Sequence, residues 1–286
     1  SKDTMNLNSR IPVASISKIF TALALAQAGN ERGFTLDTPL HDLFLKEEKA
    51  VIELGWITLT QLLTHTSGLR DPGILARLFQ REKERPLSQV LHQIPRKRGS
   101  IDSIRYADIN FDLLGYGLEK YQNQPFEKIL SGNTLQKAGM KSSDFVLEWP
   151  ESANPMQGHG KTFLWKRIQP HKIRFERSPS PSSGLVSTPE DLAMALVHLG
   201  RGRMGVFQKE LDWLTLPSGK LAGFQYFRLK GQEFTGHYGD QAGYSSLFAF
   251  SNELEMGFFL LTNAKDISHH RKIIAERLLQ ALASNP

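Results

Sequence analysis

The sequence predicts an α+β protein: an antiparallel sheet flanked by helices, joined to a mostly helical domain. Three observations predict it. An alanine-rich apolar run at helical spacing extends from Ser15 to Ala28, four aromatic and aliphatic runs separated by turn signals lie between residues 223 and 262, and an amphipathic segment runs from Ile267 to Ala283. Residues 1–35 and 185–286 are assigned to the sheet domain and residues 36–184 to the helical one.

Composition narrows the class. The chain has 286 residues, 40% hydrophobic and 22% charged, and no apolar run approaches the ~18 residues of a membrane span. With no cysteine it has no disulfide, no thiolate metal site and no cysteine nucleophile. The formal charge of +6 is spread thinly over Arg81 to Arg85, Arg96-Lys97-Arg98 and Lys166-Arg167, without interleaved aromatics, so nucleic acid is not an expected partner. The chain opens Ser-Lys-Asp-Thr with no apolar signal segment, so either none existed or it has been removed.

In the first apolar run, Ile16, Ile19, Phe20, Leu23 and Leu25 alternate with alanines, and Gly29 is the expected stop. Ser15 then stands at the first turn, either as an N-cap or as a reactive hydroxyl with Lys18 one turn away on the same face. Burial and the helix N-terminus are expected to lower the pKa of Lys18. In Leu36-Asp37-Thr38-Pro39-Leu40, Asp37 or Thr38 is expected to cap a helix begun by Pro39. The run Ile57 to Leu69 contains Leu62-Leu63-Thr64-His65-Thr66-Ser67-Gly68. Leu75 to Arg98 is charged, helical in period and broken by Pro86 and Pro95, a pattern expected of a solvated helical excursion.

Tyr106-Ala107-Asp108 precedes the amphipathic helix Leu113 to Lys120, where a loop can point a phenol into a cleft. Tyr121-Gln122-Asn123 has a related pattern but lies at the end of that helix. Phe126 to Leu135 reads as helical and Trp149 to Arg177 as loop. His159 and His171 are isolated, and His269-His270 has no partner at ligand spacing, so no metal site is expected. Thr188, Pro189 and Asp191 have the pattern of N-cap, N1 and N3 of a helix. Gly223–Leu229, Glu233–His237, Tyr244–Ser251 and Met256–Thr262 read as an antiparallel meander, with His237-Tyr238-Gly239-Asp240 at a strand end.

Average composition predicts about one Ser-x-x-Lys by chance in a chain this long, so order and flanking sequence carry the specificity. Ser15-Ile16-Ser17-Lys18, the Leu62 to Leu69 string, Tyr106-x-Asp108, the Pro181 to Thr188 turn and His237-Tyr238-Gly239 before Gly243-Tyr244-Ser245-Ser246 together resemble the serine β-lactamase and penicillin-binding protein superfamily. Within it they resemble the class C β-lactamase group with its family VIII esterases, D-aminopeptidases and D,D-peptidases. The resemblance implies a β-lactamase/transpeptidase-like fold and an acyl-enzyme mechanism without a cofactor. It implies Ser15 as nucleophile, Lys18 and Tyr106 as the proton-transfer groups, and the backbone N–H groups of Ser15 and Asp240 as oxyanion donors. Asp108, His237 and Gly239 would line the substrate subsite, and His65 would be structural. The partner expected is a small ester, amide or β-lactam, and the location expected from the family's cell-wall associations is periplasmic or secreted.

Four departures matter. His237 replaces a lysine and is expected to be mostly neutral at pH 7, and Asp240 adds negative charge beside it, so anionic substrates are expected to bind poorly. Asp108 replaces an asparagine and, if ionised, holds Lys18 protonated, favouring Tyr106 or His237 as the base. Only 14 residues precede Ser15, too few for the strand hairpin with which family members begin, so either this is a processed or trimmed chain or its sheet has lost edge strands. The reading favoured is an esterase or small-amide hydrolase; the alternatives are a β-lactamase or D,D-carboxypeptidase, and a binding or scaffold protein that retains the fold without turnover.

Overall fold

A computed structural model describes residues 5–44, 54–72, 87–94, 99–145, 156–161, 168–170, 181–200, 205–241, 243–265 and 269–283. The architecture is the expected α+β one. Helix α1 (Ser17–Arg32) is its axis, with nearly every residue from Ser17 to Gly29 buried. The expected stop at Gly29 is corrected. Gly29 lies inside the helix, where a Cβ would sit 2.6 Å from the Trp213 ring, and Gly33, with φ +81°, takes the left-handed cap. The sequence shows both glycines, but only the close approach of Trp213 tells them apart.

Thr58 and Gln61 form a capping box on α2 (Leu59–Leu63), and the 3₁₀ turn Leu40–Leu43 follows Pro39. Helix α3 (Asp108–Gln122) packs on α1, and its first turn receives Asp71, whose Oδ1 accepts the Ile109 N–H at 2.9 Å. Tyr121 lies at its C-terminal end, edge-on to Phe34. Helix α4 (Phe126–Ile129) runs on into a π-helical turn, Leu130–Leu135. Of the expected helical excursion from Leu75 to Arg98, Leu87–Gln93 is a 3₁₀ helix, Ile94 is a bend, and 75–86 and 95–98 lie outside the described residues.

Strand β1 (Ile11–Pro12) and strand β2 (Asp144–Phe145) pair with opposite edges of β5 (Leu185–Ser187), while β3 (His159–Lys161) and β4 (Ile168–Pro170) form a hairpin inside the stretch expected to be loop. Helix α5 (Pro189–Gly200) starts as its sequence signals, with Thr188 Oγ1 accepting the Asp191 N–H at 3.2 Å. Helix α6 (Gln208–Leu214) packs along α1. The main sheet is the meander β6 (Gln225–Leu229), β7 (Gln232–Gln241), β8 (Tyr244–Ser251) and β9 (Met256–Thr262). Among the described residues β9 is an edge strand, and no strand precedes β1.

Alternation along β8 explains why helices cover both faces. Phe248 and Phe250 enter the large core around α1, whereas Leu247 and Ala249 pack on the other face with Ala275 of α7 (His270–Ala283). Strand β7 runs four residues beyond the expected end at His237, because Gln241 pairs with Tyr244 across the hairpin. Among the described residues no helix is long and apolar enough to cross a membrane.

Candidate active site

Ser15 is not an N-cap. It lies in a 3₁₀ turn, Ala14–Ile16, which joins β1 to α1, and no side chain caps either helix start. Ala14 carries φ +50°, a left-handed conformation that a non-glycine residue adopts at a cost. Two side chains hold this turn from outside. Ser17 Oγ donates to Ala14 O at 2.6 Å, and Ser246 Oγ of β8 donates to Val13 O at 2.8 Å. Gly239 of β7 presses on the same turn, where a Cβ would fall 2.3 Å from Val13 O.

Ser15 Oγ has two partners: Tyr106 Oη donates to it at 2.8 Å and Lys18 Nζ at 3.1 Å. Lys18 is fully buried, and its other two N–H bonds go to Asp108 Oδ1 at 2.8 Å and Ser182 O at 2.9 Å. An ammonium has three donors, and all three are engaged. Burial alone would lower the pKa of Lys18, but the charges and hydrogen bonds of Asp108 and Tyr106 outweigh it and leave the group above its usual value of 10.5. The expected lowering is therefore corrected: Lys18 is held as an ammonium. Its charge also lies 4.9 Å from the centroid of the Tyr106 ring.

His65 braces Tyr106. Its carbonyl accepts the Arg105 N–H at 2.7 Å, its Nδ1 accepts the Ala107 N–H at 3.3 Å, and its ring lies 4.4 Å from that of Tyr106. Burial, reinforced by the Lys18 charge, lowers its pKa to about 4. Burial chiefly pushes the Tyr106 phenol up, against the pull of Lys18. On β7, His237 is 2% exposed with its ring 6.1 Å from that of Tyr106. Its Nδ1 lies 2.6 Å from Tyr238 O; a carbonyl only accepts, so Nδ1 carries the proton and Nε2 the lone pair. Burial and Lys18 lower its pKa to about 3, so His237 is neutral.

Alternation sends His237 and Gly239 to the Ser15 face of β7 and Tyr238 and Asp240 to the α7 face. There the Asp240 carboxylate forms a two-pronged ion pair with Arg271, both contacts 2.9 Å. This corrects the charge argument, because the Asp240 anion is paired and points away from Ser15. Its backbone is another matter. Pairing of β6 with β7 ends at Gln225 and Gly236, and the Tyr238 N–H donates to Gln225 Oε1 at 3.1 Å on that side. In an antiparallel ladder N–H groups two residues apart point off the same edge, so the Asp240 N–H emerges beyond the end of β6.

The geometry thus brings together Ser15, Lys18, Tyr106 and Asp108, with His237 and Gly239 on the facing strand. It adds residues that the motifs did not single out. Asp112, one turn beyond Asp108, accepts the Ser182 N–H at 2.9 Å, and its pKa is pushed up to about 6 by burial and by Asp108. The turn that presents Ser182 O to Lys18 is also held by Thr21, whose Oγ1 donates to Pro181 O at 2.7 Å. Ser182 lies inside a recognised string, so its proximity was readable; nothing in the sequence around Arg271 signals its role.

A family model described as Beta-lactamase matches residues 1–283. D-amino acid amidase from Ochrobactrum anthropi SV3 superposes with a TM-score of 0.79 at 19% identity, over 100% of this chain and 87% of that one. A penicillin-binding protein from Bacillus halodurans gives 0.76 at 22%, over 96% and 87%. A β-lactamase from Sulfitobacter sp. EE-36 gives 0.74 at 16%, over 99% and 86%. A curated relative described as a fimbrial assembly protein FimD, serogroup D, of Dichelobacter nodosus is 23% identical over 128 residues, covering 44% of this chain and 32% of its own length.

Proposed function

Because the chain belongs to the β-lactamase family, we propose that it is a serine hydrolase acting through an acyl-enzyme on a neutral ester or small D-amino-acid amide. The observation that carries this reading is Ser15 Oγ held between Tyr106 Oη and Lys18 Nζ. With Lys18 retained as an ammonium, the base is Tyr106, reactive as the phenolate that the adjacent ammonium stabilises. Ser15 Oγ bonds to the substrate carbonyl carbon as its proton passes to the Tyr106 oxygen. The carbonyl oxygen takes the negative charge and is held by the N–H groups of Ser15 and Asp240. Tyr106 then returns the proton to the departing alkoxide or amine, and water repeats the sequence to release the acid.

A neutral His237 where the family carries a lysine favours uncharged substrates over carboxylate-bearing β-lactams or peptides. Likeness to a D-amino acid amidase supports the amide half of the proposal. In this reading the cleft lies at the seam between the sheet part, 1–35 and 185–286, and the helical part, 36–184, and the family's cell-wall associations support an exported location. One observation favours the rival reading of a binding protein without turnover: Asp108 locks Lys18 in its charged form. A fluorophosphonate probe read by intact mass decides between them. Wild type should gain one adduct and Ser15→Ala none; a folded, unlabelled wild type, or a Ser15→Ala variant that still hydrolyses ester, refutes the acyl-enzyme mechanism.

A further inference from the structure

We infer that Arg271, on the closing helix and outside the cleft, is a positioning residue that aims and strengthens the oxyanion-binding N–H of Asp240. The inference rests on the acyl-enzyme reading above and concerns how one half of its oxyanion site is built. Arg271 is 6% exposed. Its Nη1 donates to Gly239 O and to Ser246 O, both at 2.7 Å, its Nη2 reaches both oxygens of Asp240 at 2.9 Å, and its Cζ lies 5.2 Å from the centroid of the Tyr238 ring.

Gly239 C=O and Asp240 N–H are the two ends of one planar peptide group. Fixing the oxygen therefore fixes the direction of the hydrogen on the opposite side of that plane. A cation bonded to the carbonyl also draws electron density through the amide and leaves its N–H a better donor, the cooperative effect of linked hydrogen bonds. Gly239 and Ser246 are opposite one another in the β7–β8 register, so the same nitrogen ties both strands together at this point. The Asp240 carboxylate completes the clamp. It pairs the guanidinium, which leaves no uncompensated charge behind the sheet, and it restrains the residue whose N–H is to be aimed.

The test compares wild type with Arg271→Met and Arg271→Lys, each shown folded by its circular dichroism and melting curve at the assay temperature. Three quantities are measured: the rate of Ser15 acylation by a neutral aryl ester, KM for that ester, and affinity for an aryl boronic acid, whose Ser15 adduct is a tetrahedral anion. Loss of one oxyanion donor costs ~100–1,000-fold, and a misaimed donor less, so Arg271→Met should acylate ~10–100-fold more slowly. Boronate affinity should fall by about the same factor while KM stays within about threefold, because the donor acts on the transition state. Arg271→Lys, which cannot span four acceptors, should fall between. A folded Arg271→Met that acylates at the wild-type rate overturns the inference; if that variant does not fold, an unchanged rate in Arg271→Lys overturns it. A wild type that takes neither probe nor substrate instead refutes the serine-hydrolase reading.

Discussion

Replacing Asp108 with asparagine tests the feature that most sets this site apart. The carboxylate lies 2.8 Å from a lysine that is 0% exposed and is itself only 26% exposed, so solvent screens the pair weakly. Asparagine keeps an oxygen acceptor at the same place and removes only the charge. An opposite charge within ~4–6 Å shifts a pKa by ~1–3 units, or roughly 1.4–4 kcal/mol at ~1.36 kcal/mol per unit. The sign is the same for Lys18 and Tyr106, since the Asp108 charge raises both. In wild type the reactive, deprotonated form should therefore accumulate only at alkaline pH, with kcat/KM rising through the alkaline range. Asp108→Asn should lower both groups and so move that rising limb to lower pH, by less than the lysine alone would move, because burial and Lys18 act on Tyr106 more strongly than Asp108 does. At pH 7 each unit adds about tenfold to the reactive fraction, partly offset by the weaker basicity that comes with a lower pKa. The assay is a pH series of kcat/KM on a neutral aryl ester. Superimposable profiles for the two proteins would show that Asp108 does not control the base.

Three further outcomes are expected. Neutral short-chain aryl esters should be turned over with kcat/KM at least ~10-fold above carboxylate-bearing β-lactams, about 1.4 kcal/mol of discrimination, because a neutral His237 offers no cation; faster hydrolysis of a cephalosporin would contradict this. Burial holds His65 at about 4 and His237 at about 3. The unfolded chain binds their protons from pH ~6.5 downward while the native state does not, so stability should be whole above that pH and fall below it, by roughly 2.5 kcal/mol per histidine at pH 4.5; denaturant midpoints for wild type and His237→Asn, compared at pH 7 and 4.5, read the difference. Gly239→Ala should separate β7 from the Ser15 turn, because the new Cβ would lie 2.2 Å from Ser246 Oγ and 2.3 Å from Val13 O. A cost of ~1–3 kcal/mol in stability and a clear loss of Ser15 labelling are expected, and wild-type labelling would exclude the contact.

The short strings could be read because each sets its own local geometry. A serine and lysine three apart on a helix face must meet, and a tyrosine just ahead of a helix stays in a loop. What could not be read depends on partners far along the chain. The ionisation of Lys18 depends on Asp108, ninety residues away; the local signals of burial and a helix end point to a lowered pKa, and only the Asp108 substitution points to the retained ammonium. The charge of Asp240 looked like part of the cleft until Arg271, thirty-one residues on, was seen to take it on the far face. Ser15 as an N-cap was reasonable from residue type; the left-handed Ala14 that puts it in a 3₁₀ turn has no signature, since alanine rarely adopts that conformation. The sheet was readable from aromatic and aliphatic runs between turn signals, though β7 ran longer than those residues indicated because pairing with β8 continues through Gly239 and Asp240.

The three acceptors around Lys18 come from three places: the turn before α1, the start of α3, and the loop that leads into β5. A chain with only two of them docked would bury an ammonium with an unmet donor, which is costly in a dry interior. Such half-assembled states are penalised at the same point where chemistry would begin. Reactivity and complete assembly therefore arrive together, and a covalent serine probe would count molecules that have finished folding, distinguishing them from compact chains that have merely collapsed.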